Sequence, residues 1–357
     1  MRTIHLVYAI PPLKPKFIIL DFVVGKIFKS PLYRYFPLQV LDWPRPVYAP
    51  YSITKNLIET LSTNHKIRLY GLKENVDLDL KDDDIFLGHL WPDFSSKAEN
   101  DNEWICYDDS QISNKVVLKY PHDPRVFAIG PFNHSLKQCG WMLPLSKYLK
   151  NYIAICGDYW ILNLDNSDFA NVFENIFQIR MAIDSTKYPF LRKSFNPVNN
   201  RKFIYIGRLS SEKNIEMLER IAATVEGFQG GFIGNGEIKG WKKIDDFVLL
   251  TPEYVQQLSK EYDFFINLST YDAQVTTVLE AACWGFVVCC TLRSGYEEDE
   301  FVKMSHDDLQ YNVDKIATLQ GLDSNILLAK VYSGREKVIN KYSWAMFNNK
   351  INELISR

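Results

Sequence analysis

The chain carries almost no net charge: 41 Lys and Arg stand against 43 Asp and Glu over 357 residues, a formal charge of −2. That balance leaves no basic footprint for general nucleic-acid binding, so nucleic acid is not an expected partner. Long apolar runs are missing too. None approaches the roughly 18 residues of a spanning helix, and the apolar N-terminal segment lacks the long core and small-residue cleavage site of a secretory signal. Cysteine is sparse: Cys106, Cys139, Cys156, Cys283, Cys289 and Cys290 form no CxxC pair and have no histidine at zinc-finger spacing. Neither a disulfide framework nor a structural zinc is indicated, and a reducing cytoplasm is expected. A GxGxxG turn after the first strand is also absent. The residues there are Tyr8-Ala9-Ile10-Pro11-Pro12, which argues against a dinucleotide oxidoreductase.

What is present is a chain too long for one core and rich enough in apolar residues, 46%, to fill two. Residues 3–8 read as a buried parallel strand and residues 52–61 as a helix with Ser52 at its N-cap. Further apolar runs at 67–72, 84–90, 116–120 and 152–156 supply strands separated by helical or loop sequence. A second series follows the Pro- and Asn-containing segment 189–200. It has strands at 202–206, 231–233, 247–250, 264–268 and 286–290, with helices at 215–225, 253–261 and 276–284. This alternation predicts an α/β protein of two doubly wound, Rossmann-like domains facing across a cleft. The first covers 1–184, joined by a C-terminal helix within 341–357, and the second covers 185–340. Residues 14–35 break the pattern with mixed apolar, aromatic and basic residues. They suit an extra packed element, or a surface lying against a membrane or the acceptor.

Three motifs carry chemistry. Gly207-Arg208-Leu209-Ser210-Ser211-Glu212-Lys213-Asn214 follows a strand and opens a helix, placing Arg208 and Lys213 by a helix N-terminus that favours anions. Two cations there suit a diphosphate, although a solvated cap with a surface ion pair has the same signature. Gly234-Asn235-Gly236 follows the next strand, where glycine permits positive φ and close approach to a ligand. Asp272 and Glu280, an acid, seven residues and a second acid, fall in the loop after a strand and in the helix that follows, where open α/β sheets bind ligands. Two solvated helix carboxylates remain the plain alternative. Lys81-Asp82-Asp83-Asp84 reads as a solvated lead-in to a strand rather than a metal site.

In order and spacing, GRLSSEKN, the GNG turn, the strand beginning near Asp263, and the acid pair with its Glu280-Ala281-Ala282-Cys283-Trp284-Gly285 tail resemble the C-terminal domain of retaining, GT-B-fold glycosyltransferases of family 4. Ala182-Ile183-Asp184 with Tyr188-Pro189, and Tyr342-Ser343-Trp344, extend the likeness to the inter-domain entry and the closing helix. The resemblance implies transfer of a sugar from a nucleotide diphosphate to a hydroxyl acceptor, a glycan or a lipid-linked molecule, with no metal or other cofactor. Such work belongs to glycan or polysaccharide biosynthesis, in the cytoplasm and at the inner membrane face. Arg208 and Lys213 would hold the diphosphate, helped by Gly207, Gly234, Asn235 and the backbone of Thr276 and Thr277. Glu280 would bind the ribose, Asp272 the transferred sugar, and the main chain near Leu249 the base. Ser52 would replace a glycine-rich phosphate contact, since Ala49-Pro50-Tyr51-Ser52-Ile53-Thr54 has no glycine. His122 in Tyr120-Pro121-His122-Asp123-Pro124 is the candidate catalytic histidine, with His89 its competitor. Two departures, Asp272 in place of Glu and Ala273-Gln274-Val275 in place of a glycine-containing run, shorten the acid and stiffen the loop. They leave open a nucleotide-sugar-binding subunit with little or no catalysis.

Overall fold

The computed structural model describes residues 2–8, 49–71, 76–93, 106–246 and 248–356. Residues 14–35 lie outside them. The chain forms two compact units: residues 1–155, 164–179 and 348–357, and residues 156–163 with 180–347. Relative to a boundary at 184/185, the second unit therefore begins at Arg180 and also takes in the segment 156–163, and the closing helix divides at Asn348.

In the first unit, strands β1 (Thr3–Val7), β2 (Lys66–Tyr70), β3 (Ile85–His89), β4 (Val126–Pro131), β5 (Asn151–Ile155) and β6 (Asn175–Ile179) form one sheet in the order β2-β1-β3-β4-β5-β6. Every pairing is parallel. Helix α1 (Ala49–Leu61) buries Ile53, Leu57, Ile58 and Leu61, a one-sided stripe at helical spacing. It starts at Ala49, so Ser52 sits inside its first turns rather than at the N-cap, and the Ser52 carbonyl accepts from the Asn56 side chain at 2.9 Å.

The run 116–120, expected to be a strand, instead closes helix α2 (Ile112–Lys119). Ile112, Val116 and Val117, all buried, repeat at i, i+4 and i+5, and a five-residue apolar run does not by itself separate the two periods. Short helical turns α3 (Leu136–Cys139) and α4 (Leu143–Ser146) follow β4. Asp84 is buried rather than solvated: it accepts from His5 Nε2 at 3.1 Å and from the Lys81 amide at 3.0 Å.

The second unit holds β7 (Phe203–Ile206), β8 (Gly230–Ile233), β9 (Lys242–Asp245), β10 (Phe264–Asn267), β11 (Val287–Cys290) and β12 (Val302–Lys303), ordered β12-β11-β10-β7-β8-β9 and all parallel. Successive residues of these strands feed opposite faces. Ile204, Ile206, Phe265 and Val288 pack with α7 (Pro252–Glu261) and α8 (Thr276–Trp284). Phe203, Tyr205, Phe264 and Val287 pack with α6 (Ile215–Thr224), α9 (Leu309–Gln320) and α10 (Ser324–Lys341). A strand expected at 247–250 lies instead at Lys242–Asp245. It is an exposed edge strand whose lysines face solvent, so no apolar run marks it. α5 (Asp158–Leu162) also belongs to this unit, and α11 (Trp344–Ser356) ends the chain. No described helix is long and apolar enough to cross a membrane.

Asp263 lies at the N-terminal end of β10 and is fully buried. It accepts from the Asn196 and Lys202 amides at 2.9 and 3.0 Å and from the Asn196 side chain at 2.9 Å, with the guanidiniums of Arg192 and Arg201 each 3.9 Å away. Burial pulls the Arg192 pKa down to about 10. This ion cluster organises the edge of the sheet opposite to the loops described next.

Candidate functional site

In the second sheet β7 and β10 are neighbours, yet the chain leaves β7 toward β8 and leaves β10 toward β11. Two loops therefore diverge at their C-terminal ends and open a crevice, the usual ligand position in such sheets.

The loop after β7 runs from Gly207 through a 3₁₀ turn, Ser211–Lys213, to Asn214 in the left-handed region at φ +58°. Asn214 spends its side chain on the Leu268 and His306 carbonyls, at 3.2 and 2.8 Å, and so ties this loop to two others. Lys213 is thereby turned inward: it is 9% exposed and its Nζ donates to Asp272. Thr270 N–H donates to the Glu212 carbonyl at 2.9 Å, a second bond between the two loops. Arg208 remains outside. Its side chain is 75% exposed and among the described residues pairs with Glu212 alone, at 3.4 Å, whose carboxylate also accepts from Ser210 Oγ at 2.6 Å.

The loop carrying Asp272 is held on every side. Its amide donates to the Arg293 carbonyl at 3.0 Å and its carbonyl accepts from Trp160 Nε1 at 2.7 Å. The Ala273 carbonyl accepts from Gly157 N–H at 2.9 Å. Gln274 bridges the Met181 amide, 2.6 Å, and the Gly295 carbonyl, 3.2 Å. The stiffness expected of Ala273-Gln274-Val275 thus arises from these partners as well as from the missing glycine. Nothing in the sequence near Trp160, Met181 or Gly157 signals that they brace this loop.

Helix α8 starts at Thr276 with Val275 at its N-cap, a residue whose side chain accepts no hydrogen bond. Its first N–H groups, at Thr276 and Thr277, face the crevice end without a side-chain cap, and an anion is favoured there. Glu280, one turn on, is partly buried and accepts from the Tyr188 hydroxyl at 3.3 Å. Burial pushes its pKa up to about 7, the tyrosine bond opposing it.

Gly207 and Gly234 meet where β7 and β8 end. A Cβ on Gly234 would stand 2.4 Å from the Gly207 carbonyl oxygen, so the close approach itself requires glycine. Gly236 sits at φ +121°. Asn235 is exposed on this turn. Leu249 is 72% exposed in the loop after β9, on the same strand edge. Arg208, Lys213, Asp272, Thr276, Thr277 and Glu280 therefore share one edge with the glycine turn, and Lys213 and Asp272 touch.

His122 does not match its expected placement after a strand. His122 lies in the turn between α2 and β4, at the N-terminal edge of its sheet, with φ +57° and a 59% exposed side chain whose Nδ1 is 3.4 Å from Glu174. With residues 112–119 helical, it follows a helix rather than a strand, and it falls on the edge away from ligand-binding loops. His89, its competitor, ends β3 at the C-terminal edge. It is buried, stacked on Tyr8 at 4.7 Å, and its Nδ1 has no hydrogen-bond partner among the described residues; burial holds its pKa down at about 3. Among the described residues no group of three or more His, Cys, Asp or Glu is placed to hold a metal ion.

No protein-family model and no curated protein matches the chain. Solved structures do. Sucrose-phosphate synthase from Thermosynechococcus elongatus aligns over 100% of this chain and 98% of its own at 11% identity, TM-score 0.56. A glycosyltransferase from Rickettsia africae aligns over 99% and 98% at 14% identity, TM-score 0.55. S. aureus TarM, in a complex that includes UDP, aligns over 100% of both chains at 13% identity, TM-score 0.54. At these identities the likeness establishes the fold: two Rossmann-like α/β units of the kind found in GT-B proteins.

Proposed function

We propose that the chain is a glycosyltransferase that moves a sugar from a nucleotide-diphosphate donor to a hydroxyl acceptor, with retention of anomeric configuration and without a metal, as family 4 enzymes do. The observation that carries this reading is the crevice between the β7 and β10 loops. There an inward lysine paired to Asp272, a solvent-facing arginine and the open N-terminus of α8 converge on one strand edge.

Heterolysis of the donor leaves negative charge on the diphosphate. Fixed cations and helix N–H groups stabilise that charge more than they stabilise the bound ground state, which is what lowers the barrier. Lys213 has three N–H donors; one is engaged by Asp272, and two remain for phosphate oxygens. Arg208, now on a weak surface contact, swings onto the second phosphate. Glu280 accepts from the ribose hydroxyls and Asp272 from the transferred sugar. No side chain is assigned as nucleophile: the departing phosphate takes the acceptor proton, and retention follows from attack on the face it vacates. The acceptor is a glycan or a lipid-linked molecule. The UDP bound in the TarM structure supports a nucleoside diphosphate as ligand class.

A second reading is a nucleotide-sugar-binding subunit without transfer. It is favoured by the Lys213–Asp272 contact, which already neutralises the cation and occupies the shorter acid. A panel of labelled nucleotide sugars, scored for donor consumption, tests both. Turnover that falls on the order of 100-fold in Arg208→Ala supports transfer. Calorimetric nucleotide binding with no consumption supports the subunit. Turnover unchanged in folded Arg208→Ala refutes the assignment of the diphosphate site.

A further inference from the structure

On the β11 and β12 side of the same edge, the second unit contains a cavity of about 320 Å³. Tyr159 of α5, Arg293 after β11, Ser305 and His306 after β12, and Tyr311 in the first turn of α9 line it. Arg293 is the feature that calls for a ligand. Its guanidinium carbon lies 5.1 Å from the centre of the Tyr271 ring. Among the described residues Nε, which is enclosed, has no hydrogen-bond partner and no carboxylate closes an ion pair on the guanidinium. Two acids, Asp307 and Asp308, also line the cavity. Asp308 caps α9 by accepting from the Tyr311 amide at 2.9 Å. Asp307 accepts from Ser305 Oγ at 2.8 Å, and its side chain is 72% exposed. Lys303, also lining the cavity, is paired outward with Glu298 at 2.6 Å. Burial and the charge of Arg293 lower the His306 pKa, against the opposing pull of Asp307, 3.5 Å from His306 Nε2.

A guanidinium fork with unused donors matches the two oxygens of a carboxylate or phosphate, and tyrosine rings offer flat apolar surface to a sugar ring. The volume is at the small end for a ligand cavity, enough for one monosaccharide. We propose that this cavity is a second ligand site, distinct from the Lys213 and Asp272 crevice, and that it takes a small anionic carbohydrate, its acid group on Arg293 and its ring against Tyr159 and Tyr311. The inference goes beyond the donor site and does not depend on transfer. The loops of the two sites are adjacent: the Asp272 amide donates to the Arg293 carbonyl at 3.0 Å and the Asn214 side chain to the His306 carbonyl at 2.8 Å.

The test is calorimetric titration of the full chain with glucose 6-phosphate, glucuronate, glucose and inorganic phosphate. At least one anionic sugar binds about tenfold or more tightly than glucose and than inorganic phosphate, and Arg293→Gln removes that advantage with no fall in melting temperature. Binding of the phosphate ester, the acid or both identifies which acid group the site accepts. Tyr311→Leu weakens the anionic sugar several-fold but not inorganic phosphate, and Lys213→Ala leaves the anionic sugar within about twofold. The proposal is overturned if no anionic sugar exceeds glucose, if inorganic phosphate binds as well as the sugar, or if Arg293→Gln or Tyr311→Leu retains full affinity. Parallel loss in Lys213→Ala also overturns it, since the anion would then sit in the donor crevice. Absence of donor turnover refutes the proposed function and leaves this site standing.

Discussion

Replacing Glu280 with Gln isolates the cost of a buried carboxylate. Among the described residues the side chain has one hydrogen bond, from Tyr188, and burial raises its pKa to about 7 from an ordinary 4.5. A raised carboxyl pKa means that the folded protein holds a proton the unfolded chain has lost, so stability declines as pH climbs from about 4.5 to 7 and is level above that. The upper limit of the decline is on the order of 3 kcal/mol, less for the solvent access this side chain retains. Gln keeps the acceptor for Tyr188 and cannot ionise. In urea titrations, Glu280→Gln is therefore more stable than wild type at pH 8 by about 1–3 kcal/mol and equal to it near pH 5. Nucleotide binding adds a second readout. Ribose hydroxyls supply the donors that the ionised carboxylate lacks, so binding at pH 7 expels about half a proton, measured by calorimetry in buffers of different ionisation enthalpy. A stability difference that is the same at both pH values refutes the burial argument. Binding with no proton release refutes the ribose contact alone.

Asp263→Asn strips the buried charge from between Arg192 and Arg201 and lowers unfolding free energy by about 3–5 kcal/mol; a change under about 1 kcal/mol in urea would show that the backbone acceptors suffice. His122→Ala, on the far edge of its sheet, leaves donor turnover within about twofold of wild type, and a loss like that of Arg208→Ala contradicts the edge argument. Gly234→Ala forces a Cβ toward the Gly207 carbonyl, at a cost of about 1–3 kcal/mol by overpacking. Its melting temperature drops and nucleotide affinity drops with it, whereas wild-type values for both would mean that the two turns separate freely.

Much of the fold was legible in the chain because its signals are local. A strand run followed by Gly207 and an amphipathic helix marks the unit from β7 to α6, and helix α8 falls at Thr276–Trp284 as its spacing predicts. The failures were equally local in cause. Residues 116–120 are too short an apolar run to distinguish helix from strand, and β9 carries lysines because an edge strand pairs on one side only. Misassigning α2 is what misplaced His122.

By itself the sequence determined which residues neighbour one another within a turn: Thr276, Thr277 and Glu280 on one helix, Arg208 and Lys213 on one loop, glycine where two strand ends meet. Only the tertiary structure decided that Lys213 reaches Asp272 across 59 positions, that Trp160 braces that loop from 112 positions away, and that Arg293 Nε is enclosed beside a cavity with no hydrogen-bond partner among the described residues. The reason is physical. Parallel strands joined by crossover helices deliver their loops to one edge whatever lies between them in the chain. Periodicity reports which face a residue takes on its own element, not which distant loop it will meet there.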